Sequence, residues 1–361
     1  MRRLLVLLIL LLPASAAART DAEWTAFNLE LARRYIAPHF EALAGAADRL
    51  DEAAGALCSQ PSAETLSKAR DAFVTAAVAW AAIEHLRTGP ASIDNRVEHI
   101  YFWPERKNVT QRQLAALLRR PDAASLTTAD LTRGSVAVQG LPALEMLIYG
   151  DEAETELLAG AAARCGIVRA ITANVRALAA ELAREWSAAD GFLALLGHPE
   201  TINPFFADGA EAAKRLFNDL LTLFQIVGDV KLQAPMGESL DRVRPTLAEG
   251  WRSGRSLRMI AANLASARAM FGPEGGFGLR SLLPDGLDSR ELDREVQNAF
   301  DAAELALKAI PEPLDQAIQT EEGRAAVTMF LHHWRRARDL VAQRFGPTVG
   351  IAVGFNALDG D

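Results

Sequence analysis

Apolar residues recur every three or four positions along almost the whole chain. Trp24, Phe27, Leu31 and Tyr35 show this spacing near the start, and it places apolar side chains on one face of a helix. Runs of β-branched residues are scarce, and the alternation of strands with helices that an α/β fold requires is not found. The pattern therefore predicts an all-α fold.

Capping residues and helix breakers divide the pattern into separate helices. Ser62 follows Pro61 and is suited to begin a helix that runs to about Arg87, and Gly89-Pro90 ends it. The chain from Gly89-Pro90 to about Lys107 is predicted to be irregular, and a shorter helix is predicted at 110–120. Residues 190–203 are predicted to form a loop, and residues 272–286 a long surface connection. The remaining long helices are predicted at 159–187, 208–231, 254–271, 289–310 and 321–345.

Two successive sets of about four long helices are typical of two helical bundles. The chain is also longer than one compact core requires. We therefore predict an N-terminal bundle at 19–190 and a C-terminal bundle at 191–361.

The first 18 residues are typical of a secretory signal peptide. Arg2 and Arg3 precede the apolar run Leu4–Leu12, and small residues suited to cleavage follow it. This run is too short to span a bilayer, and no later segment is long and apolar enough to do so. We expect residues 1–18 to be removed and the mature protein, which is not membrane-spanning, to reside in a bacterial periplasm.

The net charge limits the kinds of partner that the protein can bind, and the two cysteines predict a disulfide. The formal net charge of −8 argues against nucleic acid and against anionic membranes, and it is compatible with cation binding. The two cysteines are Cys58 and Cys165. In an oxidising compartment such a pair favours a disulfide over a metal site, and the alternative is two separate buried thiols. The disulfide would join the end of the first long helix to a helix that begins after residue 155.

A single carboxylate stands inside the apolar segment 139–150, QGLPALEMLIYG. Gly140 breaks the preceding structure, and Pro142 suits the first turn of a helix. Glu145 then lies among apolar neighbours, so it either faces solvent or is held by a partner, because burying a lone charge costs several kcal/mol. Glu84 raises the same question, since it follows Trp80 by one turn at the end of an apolar helix.

Standard enzyme signatures are missing from the sequence. It contains no His-Glu-x-x-His, no Gly-x-Ser-x-Gly, no phosphate-binding glycine loop and no Cys-x-x-Cys. The histidines show no metal-ligand spacing, and the adjacent His332 and His333 would point about 100° apart on a helix.

Several segments resemble motifs of the imelysin-like family, and they occur along the chain in the same order as in that family. The central segment matches the family motif Gly-x-His-x-x-Glu at Gly140 and Glu145, with Pro142 in place of the histidine. The other matching segments are Trp80-x-x-x-Glu84, 85–90, 101–106 (YFWPER), Lys231-Leu232, 246–253 (TLAEGWRS), Ser256-Leu257, Asn263-Leu264 and 354–361.

The resemblance implies two helical bundles with a site in the cleft between them, and an exported protein tied to bacterial iron uptake. The family is named for a presumed peptidase activity, but the motif lacks the paired histidines and general base of a metalloprotease. Pro142 can neither ligate a metal nor move a proton. We therefore expect a binding protein, with a metal-dependent peptidase or hydrolase as the alternative.

The matching segments supply the candidate site residues. The carboxylates of Glu84, Glu145 and Glu249 are suited to a hard cation such as Fe³⁺ or Ca²⁺. The matching segments also contain the cations Arg106, Lys231 and Arg252. Cations next to carboxylates indicate instead a buried charge network or a pocket for an anionic ligand. A third interpretation is that these residues only fasten the two bundles together. The full candidate set is Glu84, Arg106, Glu145, Lys231, Glu249, Arg252 and Ser253.

Aromatic residues flank this set. The cluster 101–103 is interpreted as a hydrophobic plug, and Trp251 is predicted to cover the same cleft. The leading hypothesis is a non-enzymatic periplasmic binding protein whose partner is a small ligand or a metal ion. Iron or another cation is the candidate cofactor, and an envelope iron-uptake component is the candidate protein partner.

Overall fold

The computed structural model describes residues 19–105 and 107–351, which form helices, turns and no β-strand. This confirms the predicted all-α fold. The predicted signal peptide, Arg106 and the segment 354–361 lie outside the described residues. Within these ranges, no helix has both the length and the apolar character that crossing a membrane requires.

The first half of the chain contains ten α-helices within the described residues. A π-helical segment, Ala32–Ile36, joins the first two into one continuous rod. The helices are α1 (Asp21–Leu31), α2 (Ala37–Ser59), α3 (Ala63–Ala81), α4 (Arg96–Ile100), α5 (Val109–Leu118), α6 (Thr128–Thr132), α7 (Leu141–Tyr149), α8 (Ala153–Leu158), α9 (Ala162–Ser187) and α10 (Phe192–Gly197).

The second half also contains π-helical segments, Ile226–Gln233 and Leu340–Phe345, at the ends of two long helices. Such segments change the direction in which the following side chains point, and they are frequent at functional sites. The helices are α11 (Gly209–Gln225), α12 (Ala234–Met236), α13 (Ser256–Phe271), α14 (Leu287–Lys308), α15 (Leu314–Ala317), α16 (Glu321–Asp339) and α17 (Gly346–Val349).

The packing joins the two halves through one continuous apolar core. In the first half α2 packs on α3 and α9, and in the second half α14 packs on α16. Helix α3 packs on α13, so the two halves meet along these helices. Helix α1 packs along α11, although it stands at the start of the chain. The division into domains at residue 190 stays a prediction.

The disulfide predicted between Cys58 and Cys165 is confirmed. The two Cα atoms lie 5.5 Å apart, and the bond joins the end of α2 to the beginning of α9. It therefore links two helices that already pack against each other.

Some predicted helix boundaries are wrong, because tertiary contacts override the local pattern. Ser62 caps α3 as predicted, and its hydroxyl accepts a hydrogen bond from the backbone N–H of Thr65. The helix ends at Ala81 and not near Arg87, because the chain turns there and buries both Glu84 and His85. Helices α4 and α10 lie in segments that were predicted to be irregular. In the predicted surface connection, Leu279 and Leu282 are buried.

Candidate functional site

Helix α7 begins where the sequence predicts, and Gly140 is essential to its position. Pro142 occupies the first turn. A Cβ atom on Gly140 would lie 2.2 Å from the carbonyl oxygen of Ile100, at the end of α4. The start of α7 therefore rests directly on the α4 backbone, and only glycine permits this approach.

Replacing Gly140 with Ala is expected to lower the free energy of unfolding by at least about 1–3 kcal/mol, because the α7 backbone must move away from Ile100. Gly55→Ala is the matched control, since nothing lies within 4 Å of a Cβ at that helical position. The control should be neutral or stabilising by up to about 1 kcal/mol. Urea unfolding measures both values, and equal stabilities of the two variants would contradict the contact.

Glu145 projects from α7 into the interior. Only 6% of the residue is exposed, and its Oε1 accepts a hydrogen bond of 2.9 Å from the backbone N–H of Ser253. Ser253 lies in a turn at 249–254, where Gly250 adopts a positive φ of 63°. Burial raises the pKa of Glu145, and the hydrogen bonds from Ser253 and the charge of Arg252 oppose that rise. Glu145 thus has a partner, from the other half of the chain.

Glu145 lines a cavity of about 110 Å³. Pro142, Trp103, Trp251 and Arg252 line it too. An adjoining groove of about 700 Å³ shares part of this wall, so the cavity and the groove lie side by side. The lining residues common to both are Asn108, Met146, Thr246, Trp251 and Arg252.

Arg252 is the cation of this cavity. Its Cζ lies 4.3 Å from the centroid of the Trp251 ring, which is a cation–π contact. Burial lowers the pKa of Arg252, and the charges of Glu145, Asp151 and Glu105 oppose that change. Within the described residues, no carboxylate oxygen lies within 4.0 Å of the guanidinium nitrogens.

A second charged group lies around Lys231, in the π-helical segment 226–233. Lys231 is fully buried. Its Nζ donates to Glu84 Oε1 and, at 2.9 Å, to Asn263 Oδ1, and it lies 2.6 Å from Glu249 Oε2. Asn263 Nδ2 donates in turn to Glu84 Oε1 at 2.7 Å and to the carbonyl of Ala81 at 2.6 Å. This network connects the end of α3 with α13.

Two buried carboxylates share the single Lys231 ammonium. Burial lowers the pKa of Lys231, but the charges of Glu249 and Glu84 outweigh this, and the net change is upward. Burial, helped by the neighbouring Glu84, raises the pKa of Glu249 to about 7. Lys231 therefore stays protonated, while Glu249 changes its charge near neutral pH.

His85, next to Glu84, is buried but belongs to different contacts. Its Nε2 lies 3.5 Å from the hydroxyl of Tyr35, which comes from the π-helical segment 32–36. Burial lowers the pKa of His85 to about 3. The imidazole is therefore neutral.

The comparison with known proteins identifies the family. The sequence profile of the imelysin family, peptidase family M75, matches residues 36–333. The chain belongs to the imelysin family. This confirms the resemblance found in the sequence. No curated protein matches this imelysin-family chain in sequence.

Two solved structures share the fold. An imelysin-like protein from Psychrobacter arcticum 273-4 has a TM-score of 0.70 and 21% identity, with 94% of this chain and 100% of that chain covered. A candidate iron-regulated protein A precursor from Parabacteroides distasonis ATCC 8503 has a TM-score of 0.73 and 16% identity, with 92% and 97% covered. At these identities the likeness establishes the fold of this imelysin-family chain.

The candidate residues of this imelysin-family protein lie in two separate groups. Glu84, Lys231 and Glu249 form the buried charge network. Glu145 and Arg252 line the cavity, and Ser253 lies behind it and donates its backbone N–H to Glu145. Arg106 lies outside the described residues. The hydroxyl of Tyr101 donates to Met259 Sδ at 3.7 Å. Burial and then the charges of Glu249, Glu145 and Glu84 raise the pKa of Tyr101.

Sequence reasoning missed two residues of this arrangement. The ring of Tyr101 is buried and stacks on Trp80 with a centroid distance of 5.9 Å, as a hydrophobic plug would, but charged glutamates also raise the pKa of its hydroxyl. Asn263 links Lys231 to Glu84. Its position on the apolar face of α13 could have revealed this role, because a polar side chain on a buried face needs a hydrogen-bond partner.

The arrangement of the carboxylates bears on the metal hypothesis. In the described ranges, no group of three or more His, Cys, Asp or Glu residues is placed to hold a metal ion. The Lys231 ammonium contacts both Glu84 and Glu249, where a shared cation would have to bind. The metal set Glu84, Glu145 and Glu249 stays a prediction.

Proposed function

We propose that this protein is an exported imelysin-family binding protein, linked to bacterial iron uptake, that binds a small ligand in the cavity at Glu145. The observation that carries the proposal is a buried carboxylate that has one hydrogen bond among the described residues and lines a cavity beside a larger groove. A concave site with a few convergent polar groups among aromatic walls is typical of small-ligand binding.

Export and the iron link have separate support. Export is supported by the signal-like segment at residues 1–18, and the relative from Parabacteroides distasonis is itself described as a precursor. The link to iron is supported by the same relative, which is described as iron-regulated. Export and the link to iron uptake are therefore both parts of what we propose for this chain.

Binding is favoured over hydrolysis by the chemistry of the cavity wall. Pro142 lines the cavity at the motif position of the histidine, and it offers no side-chain nitrogen or oxygen. Glu145 is fixed by the Ser253 backbone. The cavity therefore has a group that can bind a cationic atom, but the motif position supplies no second group to transfer a proton.

Glu145→Gln tests the proposal, with the exposed Glu52→Gln as its matched control. The probes are ferric, ferrous, zinc and calcium ions and a panel of small organic molecules, screened by thermal shift. A probe that binds the native protein should stabilise the wild type and Glu52→Gln equally, by about 2.7 kcal/mol at 100 times its Kd. We expect Glu145→Gln to lose this stabilisation, because Glu145 is the buried carboxylate that lines the cavity.

Three results would contradict the proposal. The first is equal stabilisation of Glu145→Gln and wild type by the same probe. The second is the absence of stabilisation by any ion or molecule, which would favour a purely structural role for the charged residues. The third is peptide cleavage that chelator and Glu145→Gln both abolish, which would establish the hydrolase alternative.

A further inference from the structure

Two opposite charges, Glu145 and Arg252, line the same small cavity without pairing with each other. A third charged residue, Glu105, also lines it, and its Oε1 already accepts hydrogen bonds from the backbone N–H groups of Lys107 and Val109. Glu145 is nine-tenths buried and Arg252 is partly buried beside it. Their oxygens and nitrogens are more than 4.0 Å apart, since no ion pair forms between them under that limit. Opposite charges that leave water normally pair, because an unpaired buried charge is costly. Their separation leaves a place for a group that pairs with each of them.

Both charged side chains retain hydrogen-bonding capacity. A carboxylate accepts hydrogen bonds on two oxygens, and among the described residues Glu145 receives one, at Oε1, from the backbone N–H of Ser253. A guanidinium carries five N–H donors, and among the described residues none of those of Arg252 has an acceptor within hydrogen-bond geometry. The stacking on Trp251 holds the guanidinium in place and uses no N–H group.

The cavity is small and lies beside a wider groove. Its volume is about 110 Å³, whereas one water molecule occupies about 30 Å³ in liquid water. It therefore admits a few heavy atoms between Glu145 and Arg252. The groove of about 700 Å³ can take the remainder of a longer molecule past Met146 and Tyr149.

We propose that the cavity binds a small zwitterion of the free α-amino acid class, with its ammonium group on Glu145 and its carboxylate on Arg252. This inference rests on the proposed function, because it names the ligand class of the same cavity. The ammonium supplies three donors to the Glu145 carboxylate, and the ligand carboxylate matches the guanidinium fork in a bidentate pair. The ligand side chain extends into the groove.

Ligands of a single charge fit the cavity less well. A metal ion would pair with Glu145 but would be repelled by the Arg252 charge at the same wall. A simple carboxylate would pair with Arg252 and face Glu145 with a like charge. Only a ligand with both charges satisfies both side chains.

The test is a calorimetric titration of the purified protein with glycine, L-alanine and L-serine. Propionate and ethylamine serve as probes that each carry one of the two charges. We expect at least one zwitterion to bind at least tenfold more tightly than either singly charged probe. Glu145→Gln and Arg252→Gln should each weaken that binding at least tenfold, while the exposed controls Glu52→Gln and Arg290→Gln leave it unchanged.

Arg252→Lys adds a test of geometry. It keeps the charge but loses the bidentate fork, so its affinity should fall between those of the wild type and Arg252→Gln. If a variant fails to fold, the comparison of zwitterion with propionate and ethylamine on wild-type protein decides the question. Equal affinities for all three probe classes would overturn the inference.

The outcomes also separate this inference from the proposed function. Binding of ferric ion that Glu145→Gln abolishes and Arg252→Gln does not, without binding of any zwitterion, would overturn the inference and leave the proposed function standing. Absence of binding by every ion and every organic probe would overturn both.

Discussion

Replacing Lys231 with Met is expected to lower the free energy of unfolding by about 3–5 kcal/mol. The ammonium is fully buried and contacts the carboxylates of both Glu84 and Glu249. Methionine keeps much of the side-chain volume but removes the charge, so two buried acidic groups lose their only cation in this network. Urea unfolding followed by tryptophan fluorescence gives the value.

The decrease in the free energy of unfolding caused by Lys231→Met should depend on pH. The pKa of Glu249 is about 7 in the folded protein, above its ordinary value of 4.5. The stability that comes from its protonation is present below pH 4.5 and is lost as the pH rises through about 7. Without Lys231, the carboxyl can stay buried at low cost only while it is protonated. The destabilisation by Lys231→Met should therefore be larger at pH 8 than at pH 5.

Two further variants control this experiment. Lys214→Met removes an exposed lysine and should change stability by less than about 0.5 kcal/mol. The triple variant Glu84→Gln, Lys231→Met, Glu249→Gln should recover most of the loss, because it leaves no buried charge unpaired. A cost below about 1 kcal/mol for Lys231→Met, or a triple variant no more stable than the single one, would show that the network does not hold the two halves together.

Removing the disulfide is expected to have an effect of similar size. Cys58 and Cys165 are 107 positions apart, and a loop of about 100 residues corresponds to roughly 4.7 kcal/mol in the chain-entropy description. We therefore expect Cys58→Ser with Cys165→Ser to lower the free energy of unfolding by about 2–5 kcal/mol.

Reductant provides the matched control for the disulfide. The wild-type protein in excess dithiothreitol should unfold at nearly the same urea concentration as the double serine variant, and the variant should not respond to reductant. A variant as stable as the oxidised wild type would contradict a stabilising role for the bond. A variant that responds to reductant as the wild type does would show that the response has another source.

Local signals in the sequence were sufficient for much of the fold. The 3.6-residue apolar period predicts the long helices, and Ser62 caps α3 as its residue type predicts. Gly140 and Pro142 place the start of α7 correctly, because each acts on its own backbone. The cysteine pairing followed from the number of cysteines and the expected compartment.

Contacts between distant segments limited the prediction of the site. The partner of Glu145 is the backbone N–H of Ser253, and a backbone group has no residue type that a sequence pattern could reveal. Lys231 reaches Glu84 across the two halves of the chain, so the candidate carboxylates separate into a network and a cavity. The sequence, which placed them in one site, could not distinguish these arrangements.

The most direct test of zwitterion binding is a crystal structure of the protein grown with the zwitterion that binds most tightly. We expect ligand density in the cavity, with an ammonium group within hydrogen-bond distance of Glu145 and a carboxylate within hydrogen-bond distance of Arg252. A cavity without ligand at saturating concentration, or a direct ion pair between Glu145 and Arg252 that closes the cavity, would rule out this binding mode.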